Sequence, residues 1–201
     1  MNFYEAVKMR RSQYNLTPKS SIDNEKINGI IKELINEAPS AFNSQSSRVV
    51  VLYDKEHLAF WDLVTNVLKG IVPSNRFAST QEKMDGFKKA YGTILFFEDQ
   101  ATVKKMQDSF PSYSENFPIW SNQSAGMLQY AIWVALAQEG MGASLQHYNP
   151  IIDQDLHEAL NINKNWKLLA QMPFGVISTP AETRENLPVE ERIIIKGDKN
   201  D

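Results

Sequence analysis

No cysteine occurs among the 201 residues, which excludes disulfides, thiolate zinc sites, iron–sulfur clusters and a cysteine nucleophile. Any redox chemistry must therefore come from a bound cofactor. Glycine and proline are sparse, 9 of each and scattered, which rules out collagen-like and low-complexity classes. Charge is nearly balanced, with 21 basic against 24 acidic residues, and a formal net charge of -3 creates no basic field for a phosphate backbone. Nucleic acid is set aside as a partner. No stretch approaches the roughly 20 apolar residues of a membrane span, and the opening MNFYEAVKMRRSQY has neither an apolar signal core nor a small-residue cleavage site. The expectation is a soluble, cytoplasmic protein with no membrane partner. His57, His147 and His157 show no paired ligand spacing with carboxylates, so no metal is expected, and neither a G-x-S-x-G elbow nor a Walker sequence is present.

What is present is an ordinary globular chain, 42% hydrophobic, that reads as one domain over residues 1–201. Phe3, Ala6 and Val7 predict a short helix over 2–9, and Ile27, Ile30, Ile31, Leu34, Ile35 and Ala38 a second, capped by Asp23 or Ser21 and ended by Pro39. Further helices are predicted over 55–69, 80–89, 100–110, 121–138 and 153–160, with Pro111 and Pro118 in a loop. Leu58, Trp61, Leu63 and Leu68 mark the face of the 55–69 helix. Residues 121–138 are apolar around most of the helix circumference, the mark of an element buried on several sides. Strands are predicted over 49–53, 92–97, 143–146, 168–177 despite Pro173, and 192–195, the last standing apart behind a polar segment. Interleaving of this kind without a repeat or a dividing linker favours α+β or α/β.

Four groups of residues could carry chemistry. Arg10, Arg11 and Ser12 combine two guanidinium forks with a hydroxyl, the groups that hold a phosphate dianion, although adjacent arginines are also a common solvated surface. Asn43 and Gln45 would point the same way from an extended loop and could read a heterocycle edge; the alternative is that both satisfy turn backbone. Gly140 and Gly142 follow a helix and lack the context of a dinucleotide fingerprint, so they read as helix-terminating residues that let the following segment, with Gln146 and His147, come close to a ligand. His57 and His157 read as solvated helix-surface residues.

In order, R-R-S-x-Y, A-P-S-A-F-N-S-Q-S-S-R, Y-G-T-I-L-F-F-E-D-Q, N-F-P-I-W-S-N-Q-S-A-G-M-L-Q, G-A-S-L-Q-H-Y-N-P and Q-M-P-F-G resemble the FMN-dependent nitroreductase family. They are most similar to its branch related to the fungal fatty-acid-repression proteins and bacterial stress-induced nitroreductases. The resemblance implies an α+β sandwich with a mainly antiparallel sheet flanked by helices, and a homodimer that binds FMN between its subunits and exchanges its carboxy-terminal strands. It also implies hydride transfer from NAD(P)H and reduction of nitroaromatic or quinone acceptors by a ping-pong route, with no side chain serving as catalyst. Carried over by position, Arg10, Arg11 and Ser12 match the phosphate and ribityl anchor, Asn43 and Gln45 the ribityl chain and flavin edge, Gln146 and His147 the backbone near the flavin ring, and Arg192 a second phosphate contact. Tyr14 stands where many family members carry a cation, a departure that leaves Arg48 either as the substitute charge or as a structural residue at the strand start. The same departure raises a second reading, a flavin-binding regulatory or stress-response protein with little turnover, and a third is a flavin-free interaction domain.

Overall fold

The computed structural model describes residues 2–197. Four antiparallel strands form one sheet in the order β1 (Ser47–Tyr53), β2 (Gly92–Asp99), β4 (Trp166–Val176), β3 (Met141–Ala143). Seven α-helices accompany them among the described residues: α1 (Phe3–Met9), α2 (Asn24–Glu37), α3 (Asp54–Ile71), α4 (Phe77–Lys88), α5 (Gln100–Ser109), α6 (Phe117–Gln138) and α7 (Asp153–Leu160). The class is α+β, as the motifs imply. No helix among the described residues is long and apolar enough to cross a membrane.

Alternation along β2 decides which helices lie on which face. Ile94 and Phe96 pack with Met172 and Phe174 of β4 against Ile27 and Ile31 of α2 and Leu128, Ile132 and Leu136 of α6. Leu95 and Phe97 face the other way, onto Phe60, Trp61 and Val64 of α3, Met84 and Phe87 of α4, and Leu156 of α7. A strand buried on both faces reads as a continuous apolar run, which is how T-I-L-F-F reads. Pro173 is tolerated inside β4 because its carbonyl accepts from Ser144 N at 3.3 Å, so its missing N–H faces the outer 141–146 segment at the sheet edge and not the β2 ladder.

Local chemistry sets the helix ends. Asn2 and Glu5 form a reciprocal capping box on α1, and the Asp23 carboxylate accepts from Lys26 N on α2. Pro118 lies in the first turn of α6 rather than in a loop, a position where the absent N–H would have had no helical partner. Gly140, at φ 79°, follows the end of that helix.

Three local expectations are corrected. The strand predicted over 143–146 is β3 at Met141–Ala143, and Gln146 instead makes an isolated bridge with Gln171. Residues 192–195 form no strand within this chain; Ile193, Ile194 and Ile195 are 54%, 83% and 68% exposed. The third concerns α3, whose buried stripe is His57, Phe60, Trp61, Val64, Thr65 and Leu68, while Leu58 is exposed.

His57 is therefore a core residue. Its Nδ1 lies 2.8 Å from Thr93 Oγ1 and its Nε2 3.2 Å from the Lys88 carbonyl. Trp61 Nε1 donates to the same Thr93 oxygen at 2.9 Å. The set closes only for neutral imidazole with the proton on Nε2: Nε2–H donates to Lys88 O, and the Thr93 hydroxyl donates to bare Nδ1. His157, also read as solvated, is half-buried between the carbonyls of Asp153 (2.6 Å) and Trp166 (2.7 Å).

Burial holds the His57 pKa below its ordinary 6.5. Since the unfolded chain protonates first, the stabilisation is complete above pH 6.5 and is lost as pH falls through that value toward the lower folded one. Denaturant titrations at pH 7 and 5.5 are expected to show the native chain losing more stability than His57→Gln over this interval. Equal losses would show that His57 does not titrate on unfolding.

Candidate functional site

Arg10, Arg11 and Ser12 follow α1 directly. Residues 12–17 are sewn to the sheet: Ser12 bridges Ala143 in parallel fashion, Gln13 N donates to Ala143 O at 2.9 Å, and Thr17 N donates to Val176 O at 2.9 Å. This places the three anchor candidates on a groove of about 500 Å³ that they line with Tyr14, Ala181, Glu182, Thr183 and Arg184. Arg11 Nη2 donates to the Glu182 carbonyl at 2.8 Å, which fixes the far wall against the near one. Glu182 is the single carboxylate of the lining, against three guanidiniums, so the groove is built for an anion.

Tyr14 also lines a second groove of about 300 Å³ with Asn15 and, from α4, Ser79, Glu82, Lys83, Gly86 and Phe87. Lys83 Nζ lies 5.9 Å from the centre of the Tyr148 ring and 5.6 Å from that of Phe87. The two grooves thus meet at Tyr14, and the chain between Ala143, beside Ser12, and Tyr148, beside Lys83, spans the same interval. Gln171 fixes that stretch: its backbone exchanges two hydrogen bonds with Gln146 (2.7 and 2.9 Å), and its side chain accepts from Tyr148 N at 2.8 Å. Gln146 is buried and bonded to Ser144 Oγ, whereas the His147 ring is exposed and bonds to nothing in the described chain.

Asn43 and Gln45 lie elsewhere. The segment from Pro39 joins α2 to β1 and is not extended: Phe42, Asn43 and Gln45 have left-handed backbone, at φ 54°, 53° and 48°. Non-glycine residues there cost on the order of 1 kcal/mol or more each, so their neighbours must hold them. Ser40 Oγ accepts from Gln45 N at 2.9 Å, and Arg48 donates to the carbonyls of Gln45 (2.7 Å) and Ser47 (3.0 Å). The Phe42 ring packs among Phe110, Tyr113, Phe117 and Trp120, with centroids 4.7 to 6.1 Å away. Both side-chain amides are exposed and make no hydrogen bond to the described chain, so they do not serve the turn.

Gln45 and Arg48 line a groove of about 440 Å³ with Pro39, Ser40 and Ser124. Arg48 is no substitute cation here, because its Nη2 is paired with Asp99 Oδ2 at 2.8 Å. The cation beside Tyr14 is Lys83. Below the same loop, Glu98 is buried with both carboxylate oxygens unbonded, and burial pushes its carboxyl above the ordinary 4.5.

The structure therefore separates the anticipated residues into two sets on one chain: Arg10, Arg11, Ser12 and the 146–147 segment on one, Asn43 and Gln45 on the other. Arg192 joins neither within this chain; it is exposed, and the third arginine of the Arg10–Arg11 groove is Arg184. Arg184 and Lys83 were not found from sequence. Arg184 sits in an aperiodic polar segment, and Lys83 on a helix whose charged residues all read as solvated.

A family model described as the nitroreductase family matches residues 7–176. The putative nitroreductase HBN1 of Saccharomyces cerevisiae is 33% identical over 198 residues, covering 98% of this chain and 94% of its own. The structure of nitroreductase CinD from Lactococcus lactis in complex with nicotinic acid superposes with a TM-score of 0.89 at 41% identity, over 96% of this chain and 99% of its own. At the level of fold alone, a putative nitroreductase from Exiguobacterium sibiricum, solved with FMN, gives a TM-score of 0.69 at 18% identity, over 98% of each chain.

Proposed function

The chain belongs to the nitroreductase family of oxidoreductases, and from that premise we propose that it binds FMN and carries reducing equivalents from NAD(P)H to nitroaromatic or quinone acceptors in ping-pong order. The observation that carries this reading is the pair of grooves meeting at Tyr14, one ringed by Arg10, Arg11, Ser12 and Arg184, the other holding Lys83. Guanidinium forks and a hydroxyl are the donor set for a phosphate dianion, and the Lys83 ammonium suits a ring beyond it that gains negative charge on reduction. The residues present therefore fit FMN.

When bound, FMN supplies the hydride chemistry itself, leaving orientation and electrostatics to the protein. Arg10, Arg11, Ser12 and Arg184 would hold the phosphate. Residues 143–148, clamped by Gln171, would lie along the cofactor, and Lys83 would supply the positive charge that Tyr14 does not. Asn43 and Gln45, whose amides are free of the turn, would reach the same cofactor from the partner subunit of a homodimer. Two features support such a pair: α6 exposes Ile119, Met127 and Tyr130 on a 22-residue helix without one charged side chain, and Ile193–Ile195 lie bare. The aromatic ligand named with CinD, nicotinic acid, suits small planar acceptors here as well.

The test is spectroscopic. Protein incubated with FMN and desalted is expected to retain flavin absorbance, to bleach on anaerobic mixing with NADH or NADPH, and to recover colour with a nitroarene. Protein that stays colourless refutes the proposal. Retained flavin without bleaching favours a regulatory flavoprotein instead.

A further inference from the structure

An arginine that is to hold an anion must be aimed without being neutralised, and Arg10 is aimed in an unusual way. Among the described residues its guanidinium makes no ion pair and no hydrogen bond, and its Nε is buried without a partner. Its contacts are aromatic: Cζ lies 4.5 Å from the centre of the Trp133 ring and 5.7 Å from that of Tyr130. Both rings stand on α6, three residues apart and hence on one helix face.

We propose that Trp133 is a positioning residue for the cofactor phosphate, holding Arg10 in the groove by its π face and leaving the charge intact. A carboxylate would fix the guanidinium at least as firmly but would cancel it. Arg48 gives the comparison within the same molecule: there the partner is Asp99 at 2.8 Å, two carbonyls take further donors, and the arginine is a clamp with its charge answered. The ring quadrupole attracts the cation while leaving its N–H edge able to donate outward. Met9, Arg10, Arg11 and Trp133 also share a small cleft with Met141 and Gly142, so the indole sits where the chain leaves α1 and sets the direction of the Arg10 stem. The inference rests on the reading of the Arg10–Arg184 groove as the phosphate end of an FMN site.

The experiment compares FMN with riboflavin, which has the same ring and ribityl chain but no phosphate. Flavin-free protein is titrated with each by calorimetry. Trp133→Leu is expected to weaken FMN binding about tenfold, as loss of a partly desolvated cation–π contact does, and to leave riboflavin binding within twofold. Trp133→Phe, which keeps a π face, is expected to retain most of the FMN preference. An unchanged FMN-to-riboflavin ratio in Trp133→Leu overturns the proposal, and so does an equal fall for both ligands, which would mark a merely structural role. Should Trp133→Leu not fold, protein grown with fluorinated tryptophan keeps the ring shape and weakens its quadrupole; a lowered ratio supports the proposal and an unchanged one overturns it. A native protein that binds both flavins equally shows instead that the groove is not a phosphate site, and the inference falls with that reading.

Discussion

Replacing Arg10 by alanine is expected to raise the dissociation constant for FMN by a factor of about 10 to 150, the equivalent of roughly 1.5 to 3 kcal/mol for a hydrogen bond to a charged group. Riboflavin affinity should barely move, because Arg10 lines the arginine-rich groove that would take the phosphate, beside Trp133 and Tyr130, and not the neighbouring groove that holds Lys83. Arg10→Lys is expected to fall between the two, since an ammonium keeps the charge but loses the two-pronged donor geometry. The same replacement at Arg192 should change little, as that residue lies outside the groove. Isothermal titration of the variants reads all of these. An unchanged FMN affinity in Arg10→Ala removes Arg10 from the site, and a large loss in Arg192→Ala would mean that the carboxy-terminal segment reaches the cofactor in the assembled protein.

The second large effect is expected far from any charge. A Cβ built on Gly175 would stand 2.6 Å from the Thr17 carbonyl oxygen and 3.0 Å from Tyr91 N, both backbone atoms that no rotamer change can move. Thr17 is held at this point by two contacts with Val176 O, from its N (2.9 Å) and its Oγ1 (3.1 Å). Gly175→Ala must therefore displace the 12–17 segment or strain β4, and overpacking of this kind costs about 1 to 3 kcal/mol, with the upper part expected against rigid backbone. Because the same segment carries Ser12 and follows Arg10 and Arg11, FMN affinity should fall together with stability. Paired urea titrations and FMN titrations check both. A variant with native stability would mean that the segment shifts freely, and one destabilised with native FMN affinity would mean that the anchor does not depend on how residues 12–17 are seated.

Much of the architecture is readable because α2 announces itself by period, and β2 and α6 as continuous apolar stretches of strand and helix length. T-I-L-F-F has the continuous apolar character of a doubly covered strand, and Ile27, Ile31 and Leu34 keep helical spacing. Reading failed where polar residues took apolar positions. In α3, His57 and Thr65 belong to the buried stripe, and an apolar count passes over them; what admits them is Thr93, on a strand 36 residues away from His57, together with the Trp61 carbonyl that accepts from Thr65. It failed again where tertiary contacts override local preference, as in the left-handed backbone at Phe42, Asn43 and Gln45, which Ser40, Arg48 and an aromatic cluster impose. Of the arginine-lined groove, Arg10, Arg11 and Ser12 are visible as a tripeptide. Arg184 is not, since nothing local distinguishes it; only the fold brings it opposite residues that precede it by more than half the chain.

That opposition also governs when a functional molecule can exist during synthesis. The bond from Arg11 to the Glu182 carbonyl spans 171 residues, and the one from Thr17 to Val176 spans 159. Chains grow at about 5 to 20 residues per second, and pairings of such long range form only after both partners are available. The first arginines to leave the ribosome thus wait many seconds for the wall they will face. A nascent chain can make α1, α2 and β1 without any place to dock an anion, because the far wall of the groove, Ala181 to Arg184, follows the last strand of the sheet; a truncation that removes residues 181–184 is expected to remove that wall while every strand segment is still present.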